Sequence, residues 1–255
     1  MTDLKHLLTP AIGPHMANEF KRMGNELLQN WQIEKEGECY AILEAEFLLK
    51  TSNDVHCDPF VDDAPTQHKF GRWYFGQGGA DITFGSTDYA GAILIRSVRC
   101  INNSNGDVIG PMRVFRLLFE DGGSVTGECT GVKLVKRGTP EDDVEVMAVP
   151  RVYLSVDFDA ENTTKLKYVF KPYRLIRTDI SDIAEKYLAA LYLSYVSGVD
   201  ANLVDNQNIY QKYAHFYKMG QNASAITDIW NVSSRMHRMA MLMGYLHSKH
   251  PDYLV

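Results

Sequence analysis

In the run AILEAEFLL, residues 41–49, Glu44 and Glu46 stand two positions apart. Successive side chains of an extended strand alternate faces, so the two carboxylates project from one side about 7 Å apart. Leu43, Ala45, Phe47 and Leu49 line the other side. A strand whose outer face meets solvent carries glutamates in this way. So does a site in which a carboxylate stabilises a cation or activates water. Both readings stay open at this stage. His56 follows ten residues after Glu46, within a polar, turn-rich stretch (50–71) longer than a connector needs. Trp73, Tyr74 and Phe75 adjoin the glycine turn of RWYFGQGGAD. Rings beside such a turn can stack on nucleobases or pack into a core. Arg96 interrupts the apolar run AILIRSV. An unpaired buried charge is costly, so Arg96 is expected at a strand end, against a carboxylate, or on a phosphate.

Other chemistries lack their residues. There is no phosphate-binding GxxxxGK[ST] loop and no GxSxG nucleophile turn, and the glycines of GQGGAD do not follow a dinucleotide fingerprint. His215, His237, His247 and His250 are spread through the C-terminal third without HExxH spacing, so no metal site is expected. No cofactor is expected either. The four cysteines, Cys39, Cys57, Cys100 and Cys129, form no CxxC pair, which fits a reducing compartment. A net charge of −6 confines any nucleic-acid-binding surface to a local basic patch. The first fifteen residues lack the basic start and sustained apolar core of a signal peptide, and no apolar run is long enough to span a membrane. A cytoplasmic location is expected.

The elements that must position these residues follow from periodicity. Met16, Phe20, Met23 and Leu27 predict an amphipathic helix over 15–30. The strand with the two glutamates comes next, then RWYF, ADITFG and AGAILIRSV as short strands separated by glycines. GPMRVFRLLF places proline at a first helical position, with Met112, Phe115 and Leu118 at helical spacing. GVKLVKR, VEVMAV, RVYLSVDF and KLKYVFKPYRLI read as further strands. After about residue 178 the pattern becomes helical. Ile180, Ile183, Tyr187, Leu191 and Tyr195 form a stripe closed by Gly198, and helices are expected over QNIYQKYAHFYKMG and about 222–249. The expected architecture is an α+β domain over 1–178, a mixed, largely antiparallel curved sheet with flanking helices, followed by a helical extension over 179–255.

The order of these pieces resembles the alkyladenine (3-methyladenine) DNA glycosylase family. The resemblance rests on the leading helix, the E-x-E strand, the loop histidine, the aromatic hairpin GRWYFG, and GAILIRSV. GPMRVFRLL resembles the family's G-P-x-K/R-L helix start, and VMAVPRVYLSV with KPYRLIR its terminal strands. It covers roughly residues 15–177. It implies the family fold and hydrolysis of a DNA-base N-glycosidic bond after base flipping. Residue by residue, it places the catalytic carboxylate at Glu46, with Glu44 as the earlier Glu of the motif and His56 as the loop histidine. Asp81 takes the position of the pocket asparagine and Arg96 that of the phosphate-side arginine. Arg113, in the helix start, and Trp73 and Tyr74, in the hairpin, become binding residues. The chain departs from the family at Leu48, where a base-stacking tyrosine is the rule, in its shorter hairpin, and in its acidic balance.

In that mechanism Glu46 stabilises positive charge at C1′ and deprotonates the attacking water, while Glu44 couples to it as a like charge. No lysine need form a Schiff base, so base release without strand cleavage is expected. Lys133, Lys136, Arg137, Lys165, Lys167, Lys171, Arg174 and Arg177 are the basic residues available for DNA phosphates. The alternatives are an inactive nucleic-acid or nucleotide-binding module of the same fold, an enzyme acting on a small nucleoside, and a protein whose C-terminal helices dock a partner or a second copy.

Overall fold

A computed structural model describes residues 2–13, 16–53, 55–76, 78–102, 106–120, 131–154, 163–199 and 203–255. The chain is α+β and divides into two compact units, 1–148 with 173–182, and 149–172 with 183–255. Residues 149–172 therefore join the helical unit, although the sequence grouped them with the sheet. Among the described residues no helix is long and apolar enough to cross a membrane.

The first unit is built on a curled antiparallel half-barrel. Helices α1 (Thr2–Leu8) and α2 (Met16–Asn30) lead into β1 (Trp31–Lys35) and the long β2 (Glu38–Thr51). Then come β3 (Phe70–Gly76), β4 (Gly79–Phe84), β5 (Tyr89–Cys100) and β6 (Asp107–Ile109). Helix α3 (Pro111–Phe119), β7 (Val132–Lys136), β8 (Val146–Val149), helix α4 (Thr163–Tyr168) and β9 (Arg174–Arg177) follow, α4 belonging to the second unit. The sheet order is β3-β4-β5-β2-β1-β7, with β6 on β5 and β9 on β2. Its curl brings the two ends of that order together, so that Trp73 Nε1 on β3 donates to the carbonyl of Val132 on β7 at 3.0 Å.

Helix α2 forms where the apolar spacing requires it and buries Met16, Phe20, Met23, Leu27 and Leu28. Phe20 stacks on Phe47 of β2 at 5.0 Å. This fixes the helix-covered face of the sheet as the one carrying Ala45, Phe47 and Leu49. Helix α3 starts at its proline, but Val114 and Leu118 are the residues it buries, while Met112 is exposed. Phe115 and Phe119 pack on Phe75 of β3.

The second unit is helical. Besides α4 it holds α5 (Lys186–Leu191), a π-helix (Tyr192–Ser197), α6 (Gln207–Asn222), α7 (Thr227–Trp230), α8 (Arg235–Lys249) and a 3₁₀ turn (Pro251–Tyr253). Gly198 ends the π-helix in the left-handed region, φ 67°. The strand read into KLKYVFKPYRLI is thus helical over α4 and extended only over β9. The part of RVYLSVDF over 155–158 lies outside the described residues. Leu188, Leu191, Tyr217, Ile229, Leu242, Met243 and Leu246 share one apolar cluster. Helices α6 and α8 touch backbone to backbone: a β-carbon on Gly220 would stand 1.8 Å from the Met241 carbonyl oxygen, and one on Gly244 1.9 Å from that of Tyr217. Only glycine fits either position.

Candidate functional site

Glu44 and Glu46 are buried, so the solvent-edge reading is excluded. Between Ile42 and Ala45 the register of β2 against β5 shifts, a bulge that sets Glu44 opposite Ser97. Ser97 Oγ donates to Glu44 Oε2 at 2.6 Å. Arg96 Nε donates to Glu44 Oε1 at 3.1 Å, and Arg174 Nη1 reaches the same oxygen at 3.3 Å. Arg96 Nη1 lies 3.3 Å from Glu46 Oε1. One guanidinium thus bridges the two carboxylates, and a second braces it. Of the three settings expected for Arg96, the carboxylate pair is the one observed.

Directly opposed residues of antiparallel strands share a face. The registers set Tyr74, Asp81, Leu94, Glu46 and Arg174 in one row across β3, β4, β5, β2 and β9. Asp81 and Glu46 are therefore on the same face, two strand spacings or about 10 Å apart at the backbone. Asp81 is 6% exposed. Burial, then the nearby negative charges of Asp62 and Glu46, push its carboxyl up to about 7. Tyr74 donates its hydroxyl to Asp62 Oδ2 at 3.3 Å, tying the 55–69 loop to this end of the row. Burial and the Asp62 charge raise the Tyr74 phenol above its usual range.

His56 is not among these groups. Thr51 and His56 close a turn, the Thr51 amide donating to the His56 carbonyl at 2.8 Å. The imidazole meets Phe20 edge-on and leans on Tyr173, both on the face covered by α2. Glu46 and Phe47 point oppositely, so the sheet separates His56 from the glutamates. Trp73 opposes Ile82, which opposes Ile93, which opposes Phe47; it shares that helix-covered face and packs on Phe119. Tyr74 is the hairpin aromatic on the carboxylate face. Arg113 is exposed on α3, away from the buried side of that helix.

The expected basic surface shrinks. Arg174 and Arg177 are buried. Arg174 serves Glu44; Arg177 donates to both oxygens of Asp179 at 2.9 Å and also binds Glu141. Arg137 grips Glu141 with two bonds of 2.5 and 2.8 Å. Lys171 Nζ is held by the carbonyl oxygens of Asp252 and Val255. Lys133, Lys136 and Lys167 remain exposed. Sequence reasoning missed Arg174 as a partner of the glutamates and Ser97 as a donor. The signal for Arg174 was the one used for Arg96, a charge inside the apolar run YRLI.

A separate pocket of about 350 Å³, lined by His6, Arg22, Glu26 and Lys136 among others, includes none of the cluster. Among the described residues no three histidine, cysteine or acidic side chains converge as metal ligands. Comparison with family models finds no match, and comparison with curated proteins finds none either.

Proposed function

We propose that the carboxylate face of the sheet hydrolyses the N-glycosidic bond of a base flipped out of DNA, on a glycosylase-like scaffold. One observation carries the reading: Glu46 and Asp81 share a row of a buried face but have opposite surroundings, a guanidinium against one and two carboxylates against the other. Groups so differentiated are what acid–base chemistry at a sugar carbon requires. As the bond breaks, positive charge develops at C1′. Glu46, oriented by Arg96, stabilises that charge and accepts the proton of the attacking water. Glu44, Arg174 and Ser97 hold Arg96 in place and do not meet the substrate. Arg96 therefore acts on Glu46, and phosphate contacts fall to exposed cations such as Arg113, Lys133 and Lys136. Tyr74 supplies a ring on the correct face for the extruded base. With no Schiff-base lysine the product is an abasic site in an uncut strand.

The second reading is an inactive binding module of the same fold. It is favoured by His56 and Trp73 lying across the sheet from Glu46. Glu46→Gln separates the two. For an enzyme, single-turnover base release from lesion-bearing duplex falls by about 10²–10⁴-fold while duplex affinity is kept. A binding module releases no base as wild type or variant, and its affinity is unchanged.

A further inference from the structure

We infer that the pocket formed by α1, α2 and β7 binds a free α-amino acid, with the ligand carboxylate on Arg22 and its ammonium on Glu26. The inference is independent of the glycosylase reading, since no residue of the carboxylate cluster lines this pocket. Arg22, Asn25, Glu26 and Gln29 recur at spacings of three and four along α2, so they form one stripe on a single helix face. His6 of α1 and Lys136 of β7 complete the polar lining, and among the described lining residues Leu7 alone is apolar. The volume of about 350 Å³ is at the small end for ligand pockets and suits one small polar molecule.

The hydrogen bonds already made show which groups are left for a ligand. Arg22 gives Nε and Nη2 to Glu19, at 3.1 and 2.7 Å, and among the described residues no acceptor takes Nη1. That edge of the guanidinium can receive a carboxylate. Glu26 is fixed by two donors, Asn30 Nδ2 at 2.7 Å and Trp31 Nε1 at 3.3 Å, one on each oxygen. Each oxygen still has a lone pair to offer. Gln29 Nε2 donates to the Val144 carbonyl at 2.8 Å, so Oε1 is the end left to accept. Asn25 Oδ1 is buried and, among the described residues, accepts no hydrogen bond. An unmet buried acceptor is costly, and a turn of this amide would offer it to a bound N–H. The stripe thus runs from a cationic donor to three acceptors, which match the three N–H donors of an ammonium. Charge decides against a phosphate. Glu19 and Glu26 offset Arg22 and Lys136, so the permanent charges at the pocket cancel and a dianion gains no net attraction. A zwitterion meets both signs and leaves neither unpaired.

The test is titration calorimetry of the full-length chain with L-serine and L-glutamine, each beside its deaminated and decarboxylated analogues, and with inorganic phosphate. At least one of the two amino acids should bind saturably, and its analogues, each lacking one charge, about tenfold or more weakly. Arg22→Gln should weaken the amino acid by a similar factor and leave its decarboxylated analogue unchanged. Glu26→Gln should weaken the amino acid as much and spare the deaminated analogue. The side-chain amide signals of Asn25 and Gln29 in a nitrogen-15 spectrum need no variant, and the amino acid should shift both. Binding of neither amino acid, analogues that bind as tightly, or tighter binding of phosphate overturns the inference. Binding that moves neither amide signal, or that neither variant weakens, overturns its assignment to this pocket.

Discussion

Arg96→Met is expected to destabilise the protein by about 3–5 kcal/mol, the cost of leaving buried charges without their partner. Arg96 bridges Glu44 and Glu46, both nearly inaccessible to water. Methionine fills much of the same volume, so lost packing is a minor part of the effect and the uncompensated carboxylates the major part. Arg174 and Ser97 continue to hold Glu44, whereas Glu46 loses the guanidinium beside it. Lysine is a poor substitute, because one ammonium cannot reproduce a planar fork reaching two carboxylates. Adding Glu46→Gln to Arg96→Met should recover part of the loss by removing a buried charge that has lost its guanidinium. Denaturant melts of the three variants measure this directly. A loss below about 1 kcal/mol for Arg96→Met would mean that water or another cation reaches the glutamates.

Asp81→Asn is expected to stabilise the fold at pH 8–9 and to do little near pH 4. The folded chain holds the Asp81 proton up to about pH 7, whereas an unfolded aspartate loses it near 3.8. Below 3.8 both states are protonated and the group's contribution is fully present. As pH rises toward 7 the unfolded state releases its proton first, and stability declines; above 7 the buried carboxylate is charged and the contribution is gone. The full displacement corresponds to roughly 4 kcal/mol. Asparagine does not titrate, so the difference between variant and wild type should grow across pH 4–7 and level off above it. Comparing the two proteins at each pH cancels other acid groups, including Asp179, whose carboxyl is held down to about 2: burial opposes ionisation, but hydrogen bonds from Arg177 and Arg99 prevail. A pH-independent difference in melting temperature would show that Asp81 titrates as an ordinary surface acid.

Much of this site was legible in order and spacing. Alternation along 41–49 put Glu44 and Glu46 on one face, and the cost of burying Arg96 demanded a partner of opposite charge. Helix α2 followed from apolar residues at spacings of four and three. What was hidden depended on pairings between distant segments. The bulge at Glu44 follows from how β2 meets β5, and no local residue announces it. Arg174 lies 130 positions from Glu44, and only the β2–β9 register brings them together. Arg174 and Arg177 looked like surface cations because lysines surround them in sequence, yet β9 is buried throughout. His56 went to the wrong side through parity: the turn after Thr51 returns it to the face of Phe47 instead of that of Glu46. KLKY alternates as a strand would, but its four residues also complete a single helical turn, and packing against Leu188 and its neighbours decided for the helix.

Excision of a base by the Arg96-bridged carboxylate face is our proposal. The most direct measurement is mass spectrometry of the products formed when wild-type protein is incubated with duplexes carrying single deaminated or alkylated bases. The expected products are a free base and a full-length strand that breaks only after alkali. Duplexes recovered with every base attached, under conditions where the protein binds them, would contradict it.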